Sequence, residues 1–551
     1  MTGRPDLSAA ERLAGALAAA EPDGPRPLAG LVQRLDRDGD LRAVLGPAGA
    51  QDVTAGTGLT AAGISDDSRT TLQGQIFVAI PGAHTDGHQH VAQALAMGAI
   101  AAIVERPLPG LGGVQVVVDR SPRALASAAA WWYGDPSREL AVVGVTGTDG
   151  KTTTSFLVAA ALEAAGQSTG LVGTVETRVG PIHARTPGHV TTPGAIALQR
   201  LLRAMVVAGD RAVVIETTSH GLAAERVGAV AYDAAILTNL SHEHLEFHGT
   251  FEAYRAAKLS LFERLGSADH TRLEKADQQP RLGIVNADDP AATLFGAATK
   301  AAGARLLTYG TRPAVDVRAD ALDERPGSLR FDVTAAAWTG HPSLRLAGRF
   351  NVHNALAAIA LGVGWGLDLD AIVAGVESVE RVPGRMERVD AGQPFGVVVD
   401  FAHSPAALQG VLDELGPTAA AAGGGLIAVF GSAGERDTAK RPMMGRIAAE
   451  RCRLVVVTDE DPRGEDRQII LDQIAAGAEV AGARPGSGLL IIPDRATAIA
   501  AALEQARAGD IVVLAGKGHE PTIEGPDGPV PWDERRAAED ALTALGFGPT
   551  G

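Results

Sequence analysis

The amino-acid sequence predicts an α/β protein of three domains. Three observations support this prediction. The chain of 551 residues is long enough for about three or four domains, each with its own hydrophobic core. Short apolar runs alternate with stretches of helical spacing, which is typical of mostly parallel sheets covered by helices on both faces. The alternation changes near residue 138 and starts afresh after residue 383, so we expect a domain boundary at each point.

The first domain is predicted to be small and to follow a tail. We expect residues 1–26, rich in alanine, glycine and proline, to form a flexible tail. Residues 27–137 would form the N-terminal α/β domain, in which Ser121 is the N-cap and Pro122 the first residue of a late helix. Its other predicted elements are helices over 28–35 and 90–97 and strands over 75–80, 99–104 and 114–119.

The central and C-terminal domains are predicted to be longer α/β units. Residues 138–383 form the central domain, with strands over 141–145, 212–216, 233–238 and 283–286 and helices over 152–165, 194–208 and 251–265. Residues 384–551 form the C-terminal domain, with strands over 396–400, 425–430, 453–457, 488–492 and 511–515. Repeated strand–helix units of this kind predict a parallel sheet in the first case and a Rossmann-like fold in the second.

Composition and charge exclude several classes of protein. The net charge of -16 argues against a general nucleic-acid-binding protein. Apolar runs stay shorter than the roughly 18 residues of a membrane span, and the N-terminus lacks the apolar core of a signal peptide. The single cysteine, Cys452, cannot form an internal disulfide. We therefore expect a cytoplasmic protein that binds neither nucleic acid nor a membrane.

A glycine-rich loop follows the first predicted strand of the central domain. The strand leads into Gly147-Thr-Asp-Gly-Lys-Thr-Thr153, and a helix follows. Gly147 and Gly150 let backbone N–H groups turn inward, where the positive end of the helix dipole favours an anion. Lys151 can reach terminal phosphates, and the Thr152 hydroxyl can bind Mg²⁺. Although Val145 replaces the first glycine of the commonest pattern, the sequence predicts a phosphate-binding loop, and the alternative is a glycine turn with a surface lysine.

Two further segments of the central domain can supply a metal site. Glu216 ends a predicted strand, where it can bind Mg²⁺ beside the glycine-rich loop. His242, His244 and His248 follow the next strand, together with two glutamates. Zinc is an alternative for this segment, but its spacing fits no standard zinc pattern, so we prefer a hard cation. By spacing alone, Lys258 on the next helix is a solvated charge.

Charged residues cluster after the strands of the C-terminal domain. Four predicted strand ends carry them towards one rim: Asp400, Arg436, Asp459, Arg463, Lys517, His519 and Glu520. Cations of such a rim can bind a carboxylate and its anions can bind an ammonium. The rim therefore predicts a site for a zwitterionic amino acid.

Together these segments resemble the Mur ligase family, whose members are ATP-dependent amide-forming enzymes of peptidoglycan synthesis. They are most similar to its MurE type, which adds the third amino acid to UDP-N-acetylmuramoyl-L-alanyl-D-glutamate. The resemblance covers about residues 60–540 and implies that the N-terminal domain binds the UDP group. It is carried, in chain order, by Gly147–Thr153, Glu216–Leu222, Thr238–Ser241, His244–Gly249, Lys258, Asn286–Asp289, Gly348–Asn354, Pro383–Glu387, Asp400–His403, Arg436 with Lys440–Pro442, and Gly516–Glu520.

The resemblance implies a role for each group of residues. The ATP-binding residues would be Gly147, Thr148, Asp149, Gly150, Lys151, Thr152, Thr153, Asn354, Arg385 and Asp400. The catalytic residues would be Lys151, Glu216, His244 and Lys258. The residues around Mg²⁺ would be Thr152, Glu216, His244 and a carbamylated Lys258. The UDP group would meet Ser68, Arg69, His84 and Thr85, and the sugar-peptide would meet Thr191, Thr192, Thr218 and Arg226. The incoming amino acid would meet Arg436, Glu460, Asp461, Pro462, Arg463, Gly516 and Glu520.

The chain departs from the family pattern at several positions. Asp149 replaces an asparagine, and we expect its carboxylate to turn away from phosphate or to meet a cation. His242 and Glu243 replace an Arg-Asp pair, and Ala224 stands where a glutamine often contacts the sugar. Arg463 favours a substrate with a distal carboxylate, such as diaminopimelate, whereas Asp461, in place of asparagine, favours lysine or ornithine. The identity of the third amino acid therefore stays open.

Two other functions are compatible with parts of the sequence. One is a Mur-superfamily ligase for another acceptor, of the folylpolyglutamate or cyanophycin type. Asp67-Ser-Arg69 and Phe77-Val-Ala79 argue against it, because the resemblance links them to a UDP-binding first domain. The other is a P-loop ATPase or kinase whose last domain binds a partner.

Overall fold

The computed structural model describes residues 8–46, 58–82, 85–186, 190–241, 245–266, 279–325 and 328–548. The chain divides into two compact units, which we call the first and the second unit. The first unit comprises residues 1–320, 333–340 and 353–376. The second unit comprises residues 321–332, 341–352 and 377–551.

The N-terminal part of the first unit is a small α/β layer structure. Its helices are α1 (Ala9–Ala19), α2 (Leu28–Arg37), α3 (Val91–Ala96) and α4 (Ser121–Tyr133). Its strands are β1 (Arg26–Pro27), β2 (Leu41–Leu45), β3 (Thr60–Ala61), β4 (Gly63–Ser65), β5 (Gln75–Val78), β6 (Ala101–Val104) and β7 (Val114–Val118). A five-stranded sheet has the order β2-β7-β6-β5-β4 and is parallel except for β2. Buried leucines of α2 and alanines of α4 pack on it.

The segment expected to be a flexible tail is, from residue 8 onwards, an ordered and docked helix. Ser8 and Glu11 form a capping box that starts α1. Leu13 is buried in the core of the first unit, which also holds Leu198. The Arg200 guanidinium donates to Leu17 O (3.1 Å) and pairs with Glu21 (2.7 Å). The expectation was wrong here because composition does not report apolar contacts with residues far along the chain.

The helix α4 begins one residue earlier than predicted. Arg120 is its N-cap, and Ser121 is its first residue. The Ser121 amide and hydroxyl both lie near Glu105 Oε1, at 2.8 and 3.1 Å. A carboxylate from another segment therefore satisfies the helix start, in place of the predicted serine cap.

The central part of the chain is built on a mostly parallel sheet. Its strands are β8 (Ala141–Thr146), β9 (Thr169–Val172), β10 (Glu176–Val179), β11 (Ile182–Arg185), β12 (Ala212–Glu216), β13 (Ala234–Leu237), β14 (Leu282–Asn286), β15 (Arg305–Gly310), β16 (Val317–Arg325), β17 (Ser328–Ala335), β18 (Trp338–Gly340) and β19 (Ser343–Leu344). The order β11-β10-β9-β12-β8-β13-β14-β15 places the glycine-rich loop after a central strand, β8. The antiparallel strands β10 and β11 and the strands β16–β19 were not predicted.

Helices surround this sheet. They are α5 (Lys151–Ala164), α6 (Ala195–Ala208), α7 (Ser219–Ala223), α8 (Leu245–His248), α9 (Phe251–Glu263), α10 (Ala292–Ala301), α11 (Asn351–Trp365) and α12 (Leu369–Ser378). The loop predicted over 266–281 lies mostly outside the described residues. In the described part of the chain, no helix is long and apolar enough to cross a membrane.

The second unit has its own, Rossmann-like sheet. Its strands are β20 (Glu387–Arg388), β21 (Gly396–Asp400), β22 (Leu426–Phe430), β23 (Cys452–Val457), β24 (Arg484–Pro485), β25 (Gly488–Ile491), β26 (Ile511–Ala515), β27 (Thr522–Gly525) and β28 (Gly528–Pro531). Its helices are α13 (Pro405–Ala421), α14 (Lys440–Arg451), α15 (Arg467–Val480), α16 (Arg495–Glu504) and α17 (Glu534–Ala544). The sheet order is β20-β21-β26-β22-β23-β25-β24, parallel except for β20, and β27 and β28 form a hairpin. The strand ends predicted to meet at one rim therefore do so.

Candidate functional site

Two glycines give the loop after β8 its shape. Gly147 has φ +152°, and a Cβ there would lie 1.8 Å from Thr238 Oγ1. Gly150 has φ +79°, and a Cβ there would lie 2.6 Å from Asn354 Oδ1. Thr154 Oγ1 also donates to Asn354 Oδ1 (3.0 Å). The backbone thus approaches two polar side chains more closely than any other residue type would permit.

Hydrogen bonds from the segment after β13 fix the backbone of the glycine-rich loop. The Thr148 amide donates to Asn239 O, and the Asp149 amide donates to Asn239 Oδ1, each at 2.9 Å. Thr238 Oγ1 donates to Asp149 O (2.6 Å). The Asp149 side chain is exposed.

Lys151, Thr152 and Glu216 lie together at the start of α5. Lys151 Nζ donates to the carbonyl oxygens of Gly147 (3.0 Å) and Thr148 (2.7 Å). Thr152 Oγ1 donates to Glu216 Oε2 (3.0 Å). Glu216 is fully buried at the end of β12. A buried carboxylate beside a hydroxyl is an oxygen donor set that suits Mg²⁺.

Thr174 holds the Glu216 carboxylate from the other side, a contact that sequence reasoning missed. Its amide donates to Glu216 Oε1 (2.9 Å), and its hydroxyl lies 2.8 Å from Oε2. A Cβ at the preceding Gly173 would lie 2.4 Å from Oε1. The signal was the Gly-Thr pair after β9, and it went unused because β9 itself was not predicted.

Lys258 is buried next to the glycine-rich loop, so its interpretation as a solvated charge is wrong. Its side chain is 1% exposed, and Nζ donates to Gly147 O (2.5 Å). Nζ also lies 4.6 Å from the centre of the Tyr254 ring. The Tyr254 hydroxyl is 2.9 Å from Thr148 Oγ1. The lysine singled out by the family resemblance therefore contacts the loop.

The predicted metal set is described only in part. His244, with His242 and Glu243, lies outside the described residues. Within the described ranges, no group of three or more His, Cys, Asp and Glu side chains can hold a metal ion. Thr152, Glu216 and Lys258 are the members whose positions the structure gives.

The residues predicted for the sugar-peptide converge on Glu216. Thr192 Oγ1 donates to the Glu216 carbonyl oxygen (2.7 Å) and lies 2.9 Å from Thr218 Oγ1. Arg226 Nη1 donates to Thr192 O (3.0 Å). Thr191 Oγ1 lies 2.9 Å from Thr174 Oγ1. Burial lowers the pKa of Arg226, although its pKa starts high enough that the cation persists.

The residues predicted for the UDP group are less closely connected. Ser68 is buried and its hydroxyl donates to Gln93 Oε1 (3.2 Å). Arg69 is exposed and pairs with Asp67 (2.7 Å). Thr85 Oγ1 lies 3.1 Å from His90 Nε2. Ser68 and Thr85 thus both contact the start of the α3 region, and His84 lies outside the described residues.

In the second unit, Arg385 and Asp400 lie close together. The Asp400 carboxylate accepts from the amides of Met386 and Ala402, each at 2.8 Å. The Arg385 guanidinium lies 4.9 Å from the centre of the Phe401 ring. Gly516 N donates to Asp400 O (3.1 Å), so this pair adjoins the loop after β26.

The rim residues predicted to bind the incoming amino acid lie around a buried lysine. Lys517 Nζ lies 2.7 Å from Asp461 Oδ1 and 2.6 Å from Glu520 Oε2. Glu460 is buried, and its Oε2 has no hydrogen-bond partner among the described residues. A Cβ at Gly516 would lie 3.0 Å from that same oxygen. Pro462 is buried, Arg463 half-buried and Arg436 exposed. Lys517 was predicted at the rim but was given no role.

Family comparisons agree with this architecture. Three family models match the chain: the Mur ligase middle domain at residues 145–362, the Mur ligase glutamate ligase domain at residues 384–518, and the Mur ligase family catalytic domain at residues 60–133. A UDP-N-acetylmuramyl-tripeptide synthetase of Roseiflexus sp. is 48% identical over 492 residues, which are 88% of this chain and 95% of the relative. The chain therefore belongs to the Mur ligase family, and it is an ATP-dependent acid–amino-acid ligase.

Relatives of the MurE type cover almost the full chain. A UDP-N-acetylmuramoyl-L-alanyl-D-glutamate–2,6-diaminopimelate ligase of Streptomyces coelicolor is 39% identical over 95% of this chain and 98% of its own length. The solved structure of a ligase with the same description has a TM-score of 0.61 at 31% identity and covers 89% of this chain and 96% of its own. A folylpolyglutamate synthase of Mycobacterium tuberculosis has a TM-score of 0.57 at 18% identity, a likeness of fold alone. The predicted resemblance and fold class are confirmed.

Proposed function

We propose that this ligase adds diaminopimelate to UDP-N-acetylmuramoyl-L-alanyl-D-glutamate with the use of ATP and Mg²⁺. The observation that carries the proposal is the cluster around Glu216 in the first unit. The glycine-rich loop lies next to the buried Glu216 carboxylate. The four residues predicted for the sugar-peptide lie close to the same glutamate: Thr191, Thr192, Thr218 and Arg226. A nucleotide and an acceptor substrate can therefore be held side by side. The acceptor and the amino acid are those of the diaminopimelate ligases to which this chain is similar.

The residues present fit the chemistry of such a ligase. Bound ATP with Mg²⁺ would supply a phosphoryl group that turns the inert carboxylate of the acceptor into an acyl phosphate, from which the amine displaces phosphate. Lys151 offsets negative charge at the loop, and the amides at the start of α5 add to the positive field. Thr152 and Glu216 would hold Mg²⁺ through oxygen atoms. No side chain has to act as a nucleophile.

We further propose that Lys258 acts as a carbamate. The lysine ammonium first loses a proton, and the neutral amine then adds to CO₂ and loses a second proton. The carbamate that forms provides an anionic metal ligand. The position of Lys258 supports the idea, because its buried Nζ contacts Gly147 O of the loop proposed to bind ATP. His244 would complete the metal set.

The choice of diaminopimelate rests on the rim of the second unit. Arg463 can bind a distal carboxylate. The buried Glu460 Oε2, which has no hydrogen-bond partner in the described part of the chain, can accept from an ammonium. Diaminopimelate carries both groups at its distal end, whereas lysine carries only the ammonium.

The proposal includes the domain division and the setting. Residues 27–137 would bind the UDP group, 138–383 would bind ATP and 384–551 would bind the amino acid. We propose that the enzyme works in the cytoplasm as a monomer, on small molecules and without nucleic acid or membrane, in keeping with its net charge of -16 and single cysteine. Light scattering of the purified protein tests the monomer.

Mass spectrometry of the products tests the proposed reaction. The protein is incubated with ATP, Mg²⁺, the UDP-muramoyl-dipeptide and an equimolar mixture of diaminopimelate, lysine and ornithine. We expect one UDP-muramoyl-tripeptide that contains diaminopimelate, with one ADP and one phosphate per product. Replacement of the acceptor by a folate should give no product. Product from the folate but not from the dipeptide would refute the proposal.

A further inference from the structure

The buried Lys517 binds two residues of the predicted amino-acid site at once. Its side chain is fully buried, and its ammonium contacts Asp461 and Glu520 at 2.7 and 2.6 Å. Asp461 lies in the loop after β23, whereas Lys517 and Glu520 lie in the loop after β26. β22 separates these two strands in the sheet. One ammonium therefore connects two loops that the sheet keeps apart.

Asp461 extends the connection to Arg463. Its Oδ1 also accepts from the Glu524 amide (2.9 Å) in β27. The Arg463 amide in turn donates to Glu524 O (2.8 Å). Arg463 has φ +55°, a conformation that a residue other than glycine keeps only where its surroundings impose it. The Lys517 network provides such surroundings.

We propose that Lys517 and Asp461 are positioning residues for the amino-acid substrate. In this proposal the Asp461 carboxylate binds Lys517 and does not contact the substrate. This inference rests on the proposed function. By sequence, Arg463 favours diaminopimelate as the third amino acid, whereas Asp461 favours lysine or ornithine. With the Asp461 charge directed at Lys517, Arg463 is the side chain that distinguishes diaminopimelate from lysine.

The first test compares Asp461→Asn with Arg463→Ala. An asparagine keeps an Oδ1 for both Lys517 and Glu524, so we expect its ratio of kcat/KM for diaminopimelate over lysine to change less than about threefold. Arg463→Ala should lower that ratio by about tenfold or more, through loss of a charged hydrogen bond to the distal carboxylate. A tenfold or larger change in the asparagine variant, or an unchanged ratio in Arg463→Ala, would overturn the inference.

The second test removes the lysine. Lys517→Met leaves Asp461 and Glu520 without their shared cation, and we expect about 100-fold lower kcat/KM for diaminopimelate. The KM values for ATP and for the UDP-linked acceptor should stay within about twofold of wild type. The double variant D461N/K517M removes one of the two carboxylates and should recover part of the loss.

A matched control separates positioning from simple stability. Arg453→Met breaks the Arg453–Asp510 ion pair, which lies at the amino ends of β23 and β26. Lys517 lies beyond the carboxyl end of β26, at the other edge of the same sheet. It should lower the unfolding temperature without raising the KM for diaminopimelate. An equal KM for diaminopimelate in Lys517→Met and Arg453→Met would overturn the inference.

The outcomes distinguish the inference from the function on which it rests. If wild type makes the tripeptide while D461N/K517M and Lys517→Met both keep a wild-type KM for diaminopimelate, only the inference fails. If wild type makes no tripeptide at all, both fail. If Lys517→Met does not fold, the comparison of D461N/K517M with D461N decides, since a raised KM in the double variant alone supports the lysine's role.

Discussion

Single residues of the glycine-rich loop act through the space they leave and the charge they bring. Gly147 and Gly150 let Thr238 and Asn354 come within reach of the backbone. Lys151 and Lys258 both donate to Gly147 O, so two lysines from different helices meet at one carbonyl oxygen. Substitutions at these positions should therefore change the conformation of the loop more than the packing of the hydrophobic core.

We predict that Gly147→Ala disrupts the loop. The added Cβ would overlap Thr238 Oγ1 at 1.8 Å, so either the loop or the segment after β13 must move. We expect the free energy of unfolding to fall by about 2 kcal/mol and ATP binding to weaken by at least about 100-fold. Denaturant unfolding and nucleotide titration measure the two effects. The control is Gly410→Ala, a position in α13 with nothing within 4 Å of the new Cβ. It should be neutral or slightly stabilising, and equal losses in both variants would contradict the prediction.

We predict that Lys258→Ala lowers kcat by orders of magnitude, with partial recovery on addition of short carboxylic acids. The added acid would replace the anion that a carbamate provides. Steady-state rates with and without acetate measure the effect, and Lys300→Ala on α10 serves as a control that should respond to neither change. Wild-type turnover in Lys258→Ala would refute the carbamate.

At the scale of elements, contacts with distant parts of the sequence fix individual helices in place. The helix α1 packs on α6 and β11 and buries Leu13. In the second unit, Arg441 of α14 is fully buried and pairs with Glu465 after β23 (2.7 Å). Each contact joins one element to another that lies elsewhere in the sequence.

We predict that Leu13→Ala destabilises the first unit by about 2 kcal/mol, because it leaves a partial cavity under α1. The exposed Ala14 on the same helix provides the control, since Ala14→Ser should change stability by less than about 0.5 kcal/mol. Denaturant unfolding measures both. A Leu13→Ala variant as stable as wild type would restore the view of residues 8–26 as a loose tail.

We predict an acid-dependent contribution from Glu465. The hydrogen bond from Arg441, aided by the Glu435 amide, lowers the pKa of Glu465 from 4.5 to about 2. A pKa below that of the unfolded chain stabilises the fold above pH 4.5 and loses this effect as the pH falls from about 4.5 towards 2. The stability difference between wild type and Glu465→Gln should therefore shrink over that range. A difference that stays constant from pH 7 to pH 3, measured by urea unfolding, would contradict the assignment.

At the scale of the whole molecule, each unit has its own hydrophobic core. Leu198 is buried in a core of the first unit, and Leu412 is buried in a core of the second. Separate cores permit separate unfolding, because few apolar contacts of one core are lost when another melts.

We predict two transitions in calorimetry. Leu198→Ala should lower the midpoint of one and Leu412→Ala the midpoint of the other, each by about 5 °C or more. ATP with Mg²⁺ should raise the midpoint of the transition that responds to Leu198→Ala, since the glycine-rich loop proposed to bind ATP belongs to that unit. A single transition that both variants lower equally would show that the chain unfolds as one cooperative unit.

The sequence alone was sufficient for features that depend on local order. Strands 212–216, 396–400 and 511–515 were predicted to the residue, because apolar runs bounded by polar turns encode buried parallel strands. Parallel strands share one edge for their carboxyl ends, so the residues after them could be assigned to common sites. The glycine-rich loop was recognisable for the same reason, since its strand, turn and helix are contiguous.

The tertiary structure decided whatever depends on partners distant in the chain. It showed α1 docked, Thr174 on Glu216, Lys258 buried beside Gly147, and Lys517 shared between Asp461 and Glu520. Burial and ion pairing are properties of neighbours in space. A lysine with the same local sequence is a solvated charge on one surface and a buried structural cation beneath another, and only the packing of separate segments determines which.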